Sequence, residues 1–132
     1  MTPRTPSKAR LWAGRVLSAL PVLMLLFSAS VKLSQKPEMV TAFTEKFGFP
    51  AGTLVPIAIV EILVAVVYAI PRTAVLGAIL VTGYLGGAVA THVRGGEPFV
   101  MPIVLGVLAW AGLYLRDPRF AELVPVLKPR AG

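Results

Sequence analysis

Long apolar stretches, separated by short polar or proline-containing links, dominate this sequence. The stretches cover residues 11–32, 54–70, 74–93 and 99–115. Each approaches the length of about 20 residues that a helix needs to cross a hydrocarbon core of about 30 Å. The stretches lack the period-2 alternation that is typical of strands, and a helix satisfies its own backbone hydrogen bonds in lipid. The pattern therefore predicts an all-α fold, with residues 11–116 forming a four-helix transmembrane bundle.

The links predict which helices are neighbours. Pro71 lies in the short link between the second and third stretches, where it removes an amide donor and ends the helix. Residues 94–98 form a second short link, which contains two glycines and a proline. Short links place consecutive helices side by side and antiparallel.

The first link is longer and has a helical pattern of its own. Between residues 37 and 49, apolar side chains recur on one helical face: Met39, Val40, Phe43 and Phe47. We therefore expect a short amphipathic helix between helices 1 and 2. Its position is open: it lies on the membrane surface, covers one end of the bundle, or is an ordinary connecting helix.

The composition narrows the class of protein. Of the 132 residues, 56% are hydrophobic and 14% are charged, and the mean hydropathy is +0.78. These charges are too few to cover the surface of a water-soluble domain, and the hydrophobicity excludes intrinsic disorder. The sequence has no cysteine and one histidine. These counts exclude disulfides and thiolate metal sites, and they argue against a metal site of several histidines.

The distribution of lysine and arginine predicts the orientation in the membrane. One side has nine of these residues, and they are Arg4, Lys8, Arg10, Arg15, Arg72, Arg116, Arg119, Lys128 and Arg130. The other side has four, which are Lys32, Lys36, Lys46 and Arg94. The positive-inside rule then predicts that the basic tails, residues 1–10 and 117–132, are cytoplasmic, in the inner (cell) membrane of a bacterium. Attraction to an anionic leaflet explains the net charge of +7, so the lipid bilayer, and not nucleic acid, is the expected partner.

The N-terminal region also resembles a secretory signal peptide, because a basic segment precedes an apolar run that ends near the small residues 28–30. The run is long for a signal peptide. Gly14 and Ser18 also share one helical face with Ser28, as expected for a packed helix. These features favour a helix 1 that is retained.

Ionisable side chains inside the apolar stretches are candidates for function, because such groups are costly in a membrane. Glu61 lies within helix 2, with Ala58 and Ala65 on its face. Lys32 closes helix 1 on the same side of the membrane. One interpretation is an inward-facing Lys32–Glu61 ion pair, and the other is a lysine that extends alone to the membrane interface.

Helix 3 carries three further candidates. Tyr84 lies at the depth predicted for Glu61, and Thr91 and His92 lie nearer the outer end. Imidazole exchanges protons readily near neutral pH. His92 is therefore either a proton-transferring group at the mouth of a shared site or an interfacial histidine bonded to backbone.

Two glycines of helix 3 predict close helix packing, and a tryptophan of helix 4 is the sixth candidate for the functional site. Gly83 and Gly87 have the spacing of closely packed membrane helices, and glycine also lets a ligand approach the backbone. Trp110 lies in the middle of helix 4, which favours a place inside the bundle over one at the membrane interface.

Taken together, these residues resemble the DoxX-like family of small four-helix membrane proteins, from about residue 11 to residue 119. The matching pieces are WAGRVL at 12–17, KL at 32–33, Glu61, AIPRTA at 69–74, LGAIL at 76–80, TGYLGGAVATHVR at 82–94, Trp110 and GLYLRD at 112–117.

The resemblance implies both termini in the cytoplasm and a relation to the membrane subunit of thiosulfate:quinone oxidoreductase. One hypothesis is therefore a quinone-interacting subunit of a redox system, in which Lys32, Glu61, Tyr84 and His92 bind a quinone head group, with a redox partner subunit. The alternative is a structural or accessory membrane protein, or a binder of a small hydrophobic molecule. A second copy of the chain, in a homo-oligomer, is a further candidate partner. The absence of cysteine argues against a thiol–disulfide role.

The orientation can be tested with reporter fusions at Gly96 and at Gly132. The basic residues predict a cytoplasmic C-terminus and an external Gly96, so the two fusions should report opposite sides. Reporters on the same side would contradict the arrangement. A mature chain that begins near residue 31 would contradict the retained helix 1.

Overall fold

Six α-helices contain most of the residues that a computed structural model describes, which are residues 5–124, 126, 127, 129 and 130. Their bounds are α1 (Lys8–Leu33), α2 (Pro37–Thr41), α3 (Leu54–Ala69), α4 (Ala74–Arg94), α5 (Val100–Arg116) and α6 (Pro118–Ala121). A π-helical turn, Ala42–Lys46, continues α2, and a 3₁₀ turn, Pro71–Thr73, precedes α4. No strand occurs among the described residues, which confirms the all-α prediction. Three residues named in the orientation argument lie outside the described residues, and they are Arg4, Lys128 and Gly132.

Local chemistry explains where the long helices begin and end. The Ser7 hydroxyl accepts a hydrogen bond from the Arg10 amide at 3.1 Å, so α1 begins before the apolar stretch does. Ile70 has extended backbone angles before Pro71 and ends α3. Asp117 likewise has extended angles before Pro118 and ends α5.

The four long helices pack in a closed order. α1 contacts α3 and α5, and α4 contacts the same two helices. Consecutive long helices are therefore neighbours, and the last one closes the ring against the first.

Two glycine contacts bring helices unusually close together. A Cβ atom at Gly77 would overlap the backbone of Tyr68, so α4 and α3 touch there without an intervening side chain. A Cβ atom at Gly14 would lie 2.8 Å from the Gly112 carbonyl oxygen, so α1 and α5 are also in close backbone contact. The predicted packing through Gly83 and Gly87 is wrong within this chain, because a Cβ atom at either would meet nothing within 4 Å. Gly77 makes the contact instead because it lies one turn after the tight link, where α3 and α4 are held together.

The surface of the helices is apolar and their interior is partly polar. Large hydrophobic side chains are exposed on all four long helices, including Leu63 on α3 at 58% and Val107 on α5 at 62%. Ser18, Lys32 and Glu61 are buried. Among the described residues, two helices are long and apolar enough to cross a membrane by length and composition, Lys8–Leu33 and Pro71–Arg94, whereas α3 and α5 are apolar but shorter.

The link between α1 and α3 folds over one end of α4. The Phe47 ring lies where a side chain at Gly95 would be, and Lys46 forms an ion pair with Glu97. Phe43 stacks on Phe49, with ring centroids 5.4 Å apart. Among the positions left open by the sequence, the structure therefore favours a lid over one end of the packed helices.

The contrast between glycines can be tested with two alanine substitutions in α4. Gly77→Ala should lower the free energy of unfolding by about 1–3 kcal/mol, because the added methyl group has no room. Gly87→Ala, the matched control, should be neutral or stabilising by up to about 1 kcal/mol, because alanine favours the helix. Unfolding of each variant in detergent, followed by circular dichroism, measures both effects. Equal losses would contradict the assigned contact.

Candidate functional site

A buried ion pair joins α1 to α3. The Lys32 Nζ donates to Glu61 Oε2 at 3.0 Å and to the Ser28 hydroxyl at 2.6 Å. Glu61 is 1% exposed and Lys32 is 8% exposed. The predicted pair is thus present, and Lys32 does not extend alone to an interface.

The local helix geometry explains this pairing. Lysine side chains on a helix lean back toward the N-terminus, which brings the ammonium group of Lys32 to Ser28, one turn earlier. Glu61 lies midway along the antiparallel α3 and faces inward. The lid covers the ammonium group from the end of the helices, since the Phe43 ring centroid lies 5.9 Å from Lys32 Nζ. Two acceptor oxygens, from Ser28 and Glu61, and an aromatic face therefore surround the ammonium group.

Tyr84 is the one residue of α4 predicted for this site that lies beside the pair. Its side chain is half-buried against the hydrophobic core, and its hydroxyl lies near the Glu61 carboxylate. The depth argument from the sequence therefore places Tyr84 correctly. The cluster of Lys32, Glu61 and Tyr84 draws on three helices.

Thr91 and His92 bond their own helix instead of the pair. The Thr91 hydroxyl donates to the Gly87 carbonyl oxygen at 2.8 Å. His92 Nδ1 lies 2.6 Å from the Ala88 carbonyl oxygen, and since a carbonyl only accepts, this nitrogen carries the hydrogen. The His92 ring packs near Phe47 of the lid, with centroids 6.3 Å apart. His92 thus has the backbone-bonded arrangement that the sequence left open.

Trp110 lies at a separate place, in a groove between α4 and α5. Its indole Nε1 donates to the Thr82 hydroxyl at 2.7 Å, and its ring stacks on Phe120 of α6 at 5.3 Å. The groove has a volume of about 690 Å³. Its walls are mostly apolar and include Gly106 and Tyr114. The α6 helix, which the sequence treats as part of a tail, closes one end of it.

A second polar contact, which sequence reasoning missed, joins three helices around Tyr68. The Tyr68 hydroxyl donates to the Ala109 carbonyl oxygen at 2.6 Å and lies 3.0 Å from the Ser18 hydroxyl, which can donate to it. The Arg116 guanidinium lies 5.2 Å from the centroid of the Tyr68 ring. Tyr68 follows Glu61 by two helical turns and shares its inward face, and this position could have predicted a buried hydroxyl.

Within the part of the chain that the structure describes, no three His, Asp or Glu side chains are grouped so that they could hold a metal ion. Among the described residues, the fold does assemble the Lys32–Glu61–Tyr84 cluster and the Tyr68 contact, and it forms the groove beside Trp110.

The energetic role of the ion pair can be tested by a double-mutant cycle. Lys32→Met and Glu61→Gln should each lower the free energy of unfolding by about 3–5 kcal/mol, because each removes a partner from a buried charge or polar group. The double variant should lose less than the sum, with a coupling of about 1–3 kcal/mol. Lys36→Met, which removes an exposed lysine from the link that follows α1, is the control and should change little. Additive losses would show that the two groups are not coupled.

Comparison with known proteins identifies the family. No curated protein and no solved structure matches the chain. The profile of the DoxX-like family matches residues 16–112. This range includes Lys32, Glu61, Tyr84 and Trp110, and it covers more than two thirds of the sequence. The chain therefore belongs to the DoxX-like family.

Proposed function

We propose that this protein spans a membrane with all four long helices and binds a lipid-soluble, ring-containing molecule of the quinone class in the groove beside Trp110. The observation that carries the proposal is the groove itself. Its volume of about 690 Å³ lies within the range of about 300–1,000 Å³ that is usual for small-molecule sites.

The apolar surface supports four membrane spans. In water, the exposed side chains of α3 and α5 would form large apolar patches, which soluble monomers rarely tolerate. The 16 residues of α3 span about 24 Å at 1.5 Å per residue. The bilayer can thin locally to match a short helix at modest cost, and the Pro71–Thr73 turn adds length at one end.

The charge pattern supports a bacterial cell membrane with the termini inside. Arg10, Arg15, Arg72 and Arg116 lie at the end of the helices from which α1 starts and at which α5 finishes. The lid and the link after α4 lie at the opposite end, where Lys46 is paired with Glu97. The end rich in arginine is therefore the cytoplasmic one in this proposal.

The groove has chemistry that suits a quinone. Along α5 it extends from Pro102 to Tyr114, which is about 18 Å at 1.5 Å per residue and leaves room for an apolar tail. The rings of Trp110 and Phe120 offer flat apolar faces for a ring. The Trp110 indole already donates to Thr82, so Tyr114 is the donor that remains for a quinone carbonyl oxygen. A redox partner subunit would supply the electrons.

An accessory, structural role is the second candidate, and a different observation favours it. Lys32 and Glu61 satisfy each other, are buried, and lie outside the walls of the groove. A pair of this kind is suited to fixing the register of two helices, and it needs no ligand. In this alternative the protein supports a partner or a second copy in the membrane.

Tryptophan fluorescence can test ligand binding directly. In a Trp12→Phe variant, Trp110 is the sole tryptophan, and a soluble quinone analogue should quench it in a saturable way. Adding Tyr114→Phe should weaken the apparent affinity about three- to tenfold, through loss of one hydrogen bond. Adding Tyr84→Phe, the matched control beside Glu61, should leave the affinity unchanged.

The complementary variant, Trp110→Phe, separates binding from partition into the detergent. It keeps Trp12, which is 61% exposed and is not a wall residue of the groove. Equal quenching of the two single-tryptophan proteins would mean partition alone and would favour the accessory role. If Tyr84→Phe weakened the apparent affinity and Tyr114→Phe did not, the binding site would be the Lys32–Glu61–Tyr84 cluster and not the groove.

A further inference from the structure

A pocket lined by arginines lies at the end of the helices where α1 begins and α5 finishes. It has a volume of about 480 Å³. It lies between the start of α1, the turn that contains Pro71, and the end of α5. Its charged wall residues are Arg15, Arg116, Asp117 and Arg119.

Arg116 has donors that nothing in the described structure accepts. Its Nε and Nη2 atoms are buried and form no hydrogen bond. The guanidinium is held in place against the Tyr68 ring, 5.2 Å from the centroid. Because burial of unpaired charged donors is costly, this arrangement indicates an acceptor that the described residues do not supply.

The carbonyl groups nearest in sequence are already used by other donors. Arg10 Nε donates to the Leu115 carbonyl oxygen at 3.1 Å, and Arg10 Nη2 lies 3.4 Å from that of Tyr114. The Asp117 amide donates to the Leu113 carbonyl oxygen at 3.0 Å. Each of these carbonyl oxygens already accepts a hydrogen bond, and none accepts one from Nε or Nη2 of Arg116.

The one carboxylate of the pocket is also engaged. Arg119 donates to both Asp117 oxygens, at 3.1 and 2.9 Å. Hydrogen bonds from the Arg119 side chain, and more weakly the nearby charge of Arg116, hold the pKa of Asp117 below its usual range. Three guanidinium groups thus face one carboxylate, and the pocket keeps an excess of positive charge.

We propose that this pocket binds a phosphate group, and that Arg116 provides the principal contact. Guanidinium groups bind phosphate oxygens through paired N–H donors, and three of them line this pocket beside a single carboxylate. An anionic lipid head group is one source of the phosphate, and a free phosphate ion is another. Binding of an anionic lipid at this end rests on the proposed membrane topology. Binding of free phosphate does not depend on that topology.

Two ligands distinguish these sources for the full-length protein in a neutral detergent. Phosphatidylglycerol is added in one arm, with phosphatidylcholine for comparison, and inorganic phosphate in the other. Native mass spectrometry counts the bound ligand, and thermal unfolding reports stabilisation. A preference for phosphatidylglycerol identifies a lipid site, and saturable stabilisation by inorganic phosphate identifies a free-anion site.

The assignment to Arg116 is tested by matched substitutions. Arg116→Gln should weaken binding about tenfold, as expected for loss of a charge-assisted hydrogen bond. Arg72→Gln, which removes the same charge at the same end but outside the pocket walls, should weaken it less than about twofold. Without added anion, Arg116→Gln should be at least as stable as the natural protein, because it removes an unsatisfied buried charge.

Equal binding by the natural protein and Arg116→Gln, or equal losses for Arg116→Gln and Arg72→Gln, would overturn the proposal. Should Arg116→Gln not fold, Arg15→Gln decides the question, because the exposed Arg15 side chain lines the same pocket. Weakened binding supports the site, and unchanged binding overturns it. Quenching of Trp110 does not depend on these residues, so this proposal and the proposed function fail independently.

Discussion

The ion pair between Lys32 and Glu61 constrains how α1 lies against α3. In a low-dielectric interior, a charge that loses its partner has nowhere to gain an equivalent interaction. Sliding one helix past the other by a single turn would move the groups about 5.4 Å apart and break the 3.0 Å contact. The arrangement of the surrounding groups follows from this alignment. Phe43 of the lid covers the ammonium group, and Tyr84 of α4 lies near the carboxylate.

The remaining polar groups occupy different depths of the same packed helices. Tyr68 joins α3 to α1 and α5 through hydroxyl and carbonyl oxygens. Gly77 lets α4 approach the backbone of Tyr68 directly. The groove beside Trp110 and the pocket beside Arg116 lie on either side of the end of α5, and both include residues near α6. The interior therefore holds the structure in register, while the two candidate binding places open at its surface.

Individual residues show how far sequence reasoning reaches into the candidate site. An ionisable group inside an apolar stretch is costly, so Lys32 and Glu61 could be recognised and paired from composition and depth alone. Tyr84 could be placed because a tight link makes depth along two helices comparable. His92 could not be placed in this way, because a carbonyl one turn earlier on its own helix competes for its ring nitrogen. Trp110 could be judged mid-helix, but its partners Thr82 and Phe120 depend on how α4, α5 and α6 meet.

The sequence by itself determined the all-α class, the approximate bounds of the long helices and the apolar character of their surface. These properties follow from local periodicity, from proline and capping chemistry, and from the cost of placing charge in an apolar stretch, all of which act over a few residues. The tertiary structure decided which glycines make contact, since Gly77 and Gly83 lie on one helix and differ only in what faces them. It also decided that Nε and Nη2 of Arg116 have no acceptor among the described residues, where Arg10, from the other end of the chain, donates to the carbonyl groups nearby. Such outcomes depend on the rotation and closeness of helices that are distant in sequence, and no local pattern encodes them.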